Sequence, residues 1–224
     1  GTMEADAYTL GGASFIKVEG TNFTGSLLLG HATTGTLDAA TYNVGVGLTA
    51  LDAITTGDYN TVAGWGAASA LTTGIRNTAI GYQALVTLST GSDNTAVGRQ
   101  ALSLVTGNSN TAVGRDAGEA IAAGAHNVCL GIHAGDNITS GSGNIMIGST
   151  VDAAAADSDN TFKVSSYDGT NTTNHIVSDG SGNMTFLNNL TIGGEFDGAT
   201  LDISGNADID GTTNLDAVDI DGAV

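Results

Sequence analysis

The chain has no proline, one cysteine and only five cationic residues in 224. Each shortage excludes something. A sequence without proline keeps every backbone N–H available for ladder hydrogen bonds, as closely stacked strands require. A single thiol, Cys129, rules out an intrachain disulfide framework. The cations are Lys17, Arg76, Arg99, Arg115 and Lys163, set against 23 acids for a net charge of −18. They cannot form the basic patch that nucleic acid or an anionic membrane surface demands, so neither is expected as a partner. Aromatic residues are 5% and charged residues 12% of the chain. No apolar run approaches the length of a membrane span, so no membrane insertion is expected. No signal peptide opens the chain, and the opening Gly-Thr-Met-Glu reads as an expression scar, so the natural protein is expected to be longer at both ends.

What is present is glycine, 34 residues, and a hydrophobic fraction of 41%, too high for a disordered chain. It is organised as a repeat. The phrase NTAIGYQAL at residues 77–85 returns as NTAVGRQAL and then as NTAVGRDAG. An Asn recurs at Asn43, Asn60, Asn77, Asn94, Asn110, Asn127 and Asn144, with Ser26 in the equivalent place before them; the spacing is 17 with one step of 16. A Gly follows four residues later in each copy (Gly47, Gly64, Gly81, Gly98, Gly114, Gly131, Gly148), and an Ala seven residues later from Ala50 to Ala134. A second Gly precedes the next Asn by three residues, and between the two glycines stand Leu37, Ile54, Leu71, Leu88, Ile121 and Ile138, with Leu104 or Val105 in the short copy. Such columns mean one structural unit stacked on the next. Seventeen residues are too few for a helical pair and suit two strands of about five residues joined by two turns. The expected fold is therefore all-β: a β-solenoid of flattened section, or β-roll, of about eight coils at about 4.8 Å each, a segment of about 38 Å. The Asn column is expected to form an amide ladder along the rod.

Strand alternation assigns two faces. The expectation is that Thr61, Ala63, Thr78, Ile80, Thr95, Val97, Thr111, Val113, Val128, Leu130, Ile145 and Ile147 fill the roll. Val62, Ala79, Ala96, Ala112, Cys129 and Met146 would then line the opposite, uncharged face. A thin roll buries little by itself, so that second face is taken as the interface of a homotrimer, with a dimer as the weaker option. Cys129 reads there as a small buried apolar residue.

Residues 1–25 are read as the scar and an N-terminal cap, 26–150 as the β-roll, 151–194 as a transition with β-hairpins at Asp-Gly and Ser-Gly turns, and 195–224 as an acidic β-stalk segment. In that last segment Leu201, Ile203, Ile209, Leu215, Val218 and Ile220 alternate with Asp202, Asp208, Asp210, Asp216, Asp219 and Asp221. Three copies intertwined would bury the aliphatic side. The pairs Asp208/Asp210 and Asp219/Asp221 read as solvated strand-edge carboxylates rather than calcium ligands.

Phrases such as NTAIGYQAL, NTAVGRQAL, LGGASFI and FDGATLDISGNADIDG resemble those of bacteriophage tail-fibre proteins. The NTAVG columns are also similar to the repeats in the heads of trimeric autotransporter adhesins, which form left-handed β-rolls. The likeness covers residues 8–221. It implies a trimeric, extracellular fibre of the virion tail that mediates or supports attachment to a bacterial surface glycan or outer-membrane receptor. A bacterial adhesin head and a glycan depolymerase are the alternatives.

One column is chemically variable: His31, Leu48, Trp65, Tyr82, Arg99, Arg115, Ile132 and Ser149. Trp65 and Tyr82 could stack on sugar rings while Arg99 and Arg115 reach hydroxyls or carboxylates, which makes these four the receptor-contact candidates. The competing reading is a corner column with its arginines paired to Asp116, Glu119 or Asp93. No enzyme is expected, because the acids of the roll (Asp52, Asp58, Asp93, Asp116, Glu119, Asp136) do not stack in register and no nucleophile–base pattern occurs. His126 and His133 lack a third ligand, so neither metal nor cofactor is expected. The Asn-x-Thr triplets at Asn22, Asn137, Asn171, Asn183 and Asn189 read as chance in so Asn- and Thr-rich a chain.

Overall fold

A computed structural model describes the backbone of Tyr8–Leu10 and Ala13–Val18, and residues 26–29, 39–178 and 180–187 in full. The acidic segment from residue 195 and His31 lie outside the described residues.

The described strands form one sheet in sequence order. They are β1 (Tyr8–Leu10), β2 (Ala13–Val18), β3 (Leu27–Leu29), β4 (Val44–Val46), β5 (Thr61–Ala63), β6 (Thr78–Ile80), β7 (Thr95–Val97), β8 (Thr111–Val113), β9 (Val128–Leu130), β10 (Ile145–Ile147), β11 (Phe162–Tyr167), β12 (Thr172–Ser178) and β13 (Met184–Phe186). From β3 to β11 every neighbour is parallel and in register, so Thr78 faces Thr95 and Ala79 faces Ala96. At both ends the direction reverses: β1–β2–β3 and β11–β12–β13 are antiparallel. This is an all-β solenoid of about eight turns of some 17 residues, with no helix among the described residues.

The amide ladder is present. Each Asn from Asn60 to Asn144 donates its backbone N–H to the side-chain Oδ1 of the Asn one coil earlier, at 2.9–3.0 Å. Its Nδ2 donates to that same oxygen and to the carbonyl of the second glycine of its own repeat, as Asn77 to Gly91 O at 2.9 Å and Asn127 to Gly141 O at 2.9 Å, with Ser158 O taking the glycine's place for Asn144. Ser26 Oγ starts the ladder by accepting from Asn43 N, and Thr161 N ends it on Asn144 Oδ1. All seven amides are fully buried, so each satisfies polar groups that water cannot reach. Thr161 stands one repeat beyond Asn144, so the backbone register runs one coil past the last Asn-Gly phrase. A backbone N–H is all that step requires.

Two expectations are corrected. First, the return leg A-L-x-x-L is not a strand. It is a pair of turns closed by Ala84 N to Gly81 O and Leu88 N to Leu85 O, at 3.4 and 3.1 Å. Gln83 and Leu85 adopt left-handed φ of 53° and 54° to make them, and the same geometry recurs at Gln100 and Leu102. Hydrogen bonds between coils, such as Leu85 N to Ala101 O at 3.1 Å, offset that strain.

Second, the faces are inverted. Val62, Ala79, Ala96, Ala112, Cys129 and Met146 are fully buried inside a single chain, so they cannot be the trimer interface. Thr61, Ile80, Val113 and Ile145 and their columns lie outside. The buried Asn fixes the parity: on a strand the residue two later points the same way. The interior has room only for small residues there, because Leu51, Leu85 and Leu102 enter it from the return leg. Where that leg carries Gly118 and Gly135 instead, the inner column grows to Cys129 and Met146; a Cβ on Gly135 would lie 2.6 Å from Cys129 Sγ. In the short copy it is Val105 that is buried and Leu104 that is exposed.

Inserting volume into this interior has a definite expected result. Ala96→Leu would overpack the space held by Leu102, and urea denaturation should show a loss of about 1–3 kcal/mol. A loss below about 0.5 kcal/mol would mean that the inner column is not close-packed.

Candidate functional site

The strand of each coil is flanked by two columns that the coil leaves free to vary. One lies just past the glycine that ends the strand: Leu48, Trp65, Tyr82, Arg99, Arg115 and Ile132, all exposed. The other immediately precedes the Asn: Tyr42, Tyr59, Arg76, Asp93, Ser109 and His126, each with left-handed φ between 57° and 61°. The 17-residue spacing carried that second column too, but it was not singled out from the sequence. The columns resemble each other. Tyr42 stacks on Tyr59 at 5.1 Å and 12°, and Trp65 on Tyr82 at 5.0 Å and 11°. Arg76 pairs with Asp93 at 2.6 Å. The hydrogen bond from Arg76 holds the exposed Asp93 carboxyl below its usual range.

The stacking changes what Trp65 and Tyr82 can do. They occupy successive coils, so their planes lie across the rod and each takes one face of the other. One face of each ring is thereby taken, while the residues stay 46% and 47% exposed. Only the outer face of each ring is left for any further stacking.

The arginines are held from beneath. Asp116 is buried, with only 3% of its side chain exposed, and its Oδ2 accepts from Arg99 Nη2 at 2.7 Å and lies 3.2 Å from Arg115 Nη1. Arg99 also donates to Gln100 Oε1. His133 Nε2 stands 3.7 Å from the same Asp116 oxygen while its Nδ1 lies 3.0 Å from Asp136 Oδ2. Asp116 Oδ1 is buried and has no hydrogen-bond partner. Of the pairings expected for the arginines, the one with Asp116 is realised.

The chain of charges continues into the last coil. Asp152 is pushed up to about 6 by burial first, then by the hydrogen bond and charge of Asp136. Lys163 Nζ donates to the Asp152 carbonyl at 2.9 Å. Burial is also the main reason the Cys129 thiol is pushed up to about 12, which makes it a poor nucleophile. The acids of the roll do not stack in register, yet Asp136 and Asp152 come near each other at this end. Asp136 and Asp152 belong to adjacent columns on successive coils, a neighbourhood that strict column alignment passes over. Among the described residues no group of three His, Cys, Asp or Glu is placed to hold a metal ion.

The raised Asp152 carries a pH prediction. An acid whose pKa is higher folded than unfolded favours the fold while protonated. That contribution is fully present below the unfolded value of about 4 and is lost as pH rises through about 6. Asp152→Asn should therefore stabilise the chain at pH 7 relative to pH 4, by on the order of 1 kcal/mol once solvent screening is discounted. Denaturation midpoints of both proteins from pH 4 to 7 check this; parallel curves would contradict it.

Between the flanking columns lies the outer sheet face. Val44, Val46, Thr61, Ala63, Thr78, Ile80, Thr95, Val97, Thr111, Val113, Val128, Leu130, Ile145 and Ile147 form it, without one charged residue. Ile80 is 43% exposed and Val113 41%. Compared with protein-family models, curated proteins and solved structures, the chain matches none.

Proposed function

We propose that the chain is a non-catalytic fibre protein of a phage tail, lying outside the cell, that assembles as a homotrimer and mediates or supports attachment to a bacterial surface. One observation carries the reading: the outer face of β4–β10 is uncharged and, apart from Thr61, Thr78, Thr95 and Thr111, apolar in a chain of net charge −18. Seven strands of three residues, about 10 Å long and about 4.8 Å apart, give about 340 Å². The largest apolar patch on a soluble monomer is about that size and is often functional. A second copy of the same chain is the natural cover, since parallel repeats match each other's spacing coil for coil. Three rods facing a common axis leave no such face unpaired. The tail-fibre phrases of the sequence support placing this rod in a virion.

The double variant Ile80→Lys, Val97→Lys tests it. Both side chains point outward, so the circular dichroism spectrum and the monomer fold should persist. Light scattering behind a sizing column should show the mass falling to the 22.1 kDa of one chain. An unchanged oligomer would remove this face from the assembly.

A further inference from the structure

The coil does not need the charges at Arg99, Arg115 and Asp116. At the position of Asp116 other coils carry Thr49, Gly66, Gln83, Gln100, His133 and Thr150. Gln83 and Gln100 keep the same left-handed φ, 53° and 55° against 58° for Asp116. A buried carboxylate is therefore not a backbone requirement, and burying one costs several kcal/mol of lost hydration. What Asp116 does is hold two guanidiniums. Its Oδ2 lies 2.7 Å from Arg99 Nη2 and 3.2 Å from Arg115 Nη1, and its Oδ1 has no hydrogen-bond partner.

The consequence is a fixed pair of arginines on successive coils, about 4.8 Å apart. Their side chains remain about half exposed, 46% and 50%. Two cations over one anion leave a local surplus of positive charge in a chain of net charge −18. Elsewhere the described cations are committed: Arg76 to Asp93, Lys163 to the Asp152 carbonyl. Each guanidinium offers five donors in a planar fork, most of them not taken up by Asp116. Such a fork suits a carboxylate, and prior immobilisation lowers the entropy cost of binding.

We propose that Arg99 and Arg115, seated on Asp116, bind the carboxylate of an acidic sugar residue in a surface polysaccharide. The proposal deepens the attachment reading above and rests on it for its biological meaning. A monoanion matches the single surplus charge better than a dianionic phosphate does. Half-buried Gln83, Gln100 and His133 on the neighbouring column supply partners for sugar hydroxyls. Hydrogen bonding and charge provide the recognition at this carboxylate, apart from the stacked pair Trp65 and Tyr82.

Calorimetric titration of the full chain with a galacturonic acid trisaccharide tests this, with a neutral galactose trisaccharide and inorganic phosphate as comparators. Saturable binding of the uronate is expected, weakening as salt is raised. Arg99→Gln with Arg115→Gln should weaken it at least ~10-fold, which is about 1.4 kcal/mol. Trp65→Ala should change it less than ~2-fold by the same scale. Circular dichroism confirms that each variant is folded. Absent binding, equal binding of the neutral sugar, tighter binding of phosphate, or full affinity in the folded double variant would each overturn the proposal. The native mass of the same samples separates the two claims: a monomer that binds uronate removes the trimer and keeps this site.

Discussion

Asn77→Ala should lower stability by about 3–6 kcal/mol, a large share of what holds a domain of this size together. The side chain donates to Asn60 Oδ1 at 3.1 Å and to Gly91 O at 2.9 Å. It accepts from the backbone N of Asn94 at 3.0 Å and from Asn94 Nδ2 at 3.3 Å. Alanine strands the Asn94 N–H and the Gly91 carbonyl inside the roll, each at about 1–3 kcal/mol, and adds a cavity. Asn77→Asp keeps the acceptor but turns oxygens toward Asn60 Oδ1 and Gly91 O, so it should be as harmful at pH 7 and partly relieved in acid, where the carboxyl can donate. Urea denaturation of the three proteins at two pH values checks both statements. A loss under about 1 kcal/mol for Asn77→Ala would mean that the ladder contributes little.

Gly81→Ala should be worse, leaving little or no folded protein. Gly81 has φ of +136°, and a Cβ there would lie 2.4 Å from Gly98 O and 2.6 Å from Gly98 C. Both obstacles are backbone of the next coil, so no rotamer change can relieve them. The coils would have to separate locally and break the ladder on both sides, a change of the rare class above about 4 kcal/mol. Gly169→Ala is the control. Its φ is +99° with nothing within 4 Å of the new Cβ, so only backbone strain of about 1–2 kcal/mol applies. Similar losses at the two sites would show that conformational strain, and not the stacking of coils, makes Gly81 necessary.

These two residues also mark what the sequence discloses and what it hides. The 17-residue recurrence of Asn and Gly identified a solenoid and its coil length, because every coil repeats the same buried amide and the same close approach. The ladder itself was readable for the same reason. Orientation was misread. Ile80, Val97 and Val113 look like core and Ala79, Ala96 and Ala112 like a contact surface if size alone decides. The interior reverses that choice because Leu85 and Leu102 already fill it from the return leg. A buried Asn would have settled the parity, since the residue two after it must share its side. The return leg was misread as strand because Leu85 and Leu102 carry strand-like apolar character while adopting left-handed φ of 54° and 52°.

The candidate site was half visible. The variable column led to Trp65, Tyr82, Arg99 and Arg115, and the neighbouring Asp116 was named among possible partners. The structure adds that Asp116 is buried beneath both arginines and that the aromatic pair stacks on itself through one face of each ring. Of the further neighbours, His133 stacks on Asp116 in the same column and meets Asp136 three residues on, while Asp152 comes from a different column of the next coil.

The account turns on the uncharged outer sheet face being covered by copies of the same chain. Sedimentation equilibrium of the full chain across a range of concentrations tests this most directly. The predicted result is a single species at three times the 22.1 kDa of one chain. A species at 22.1 kDa that persists at the highest concentration would contradict it.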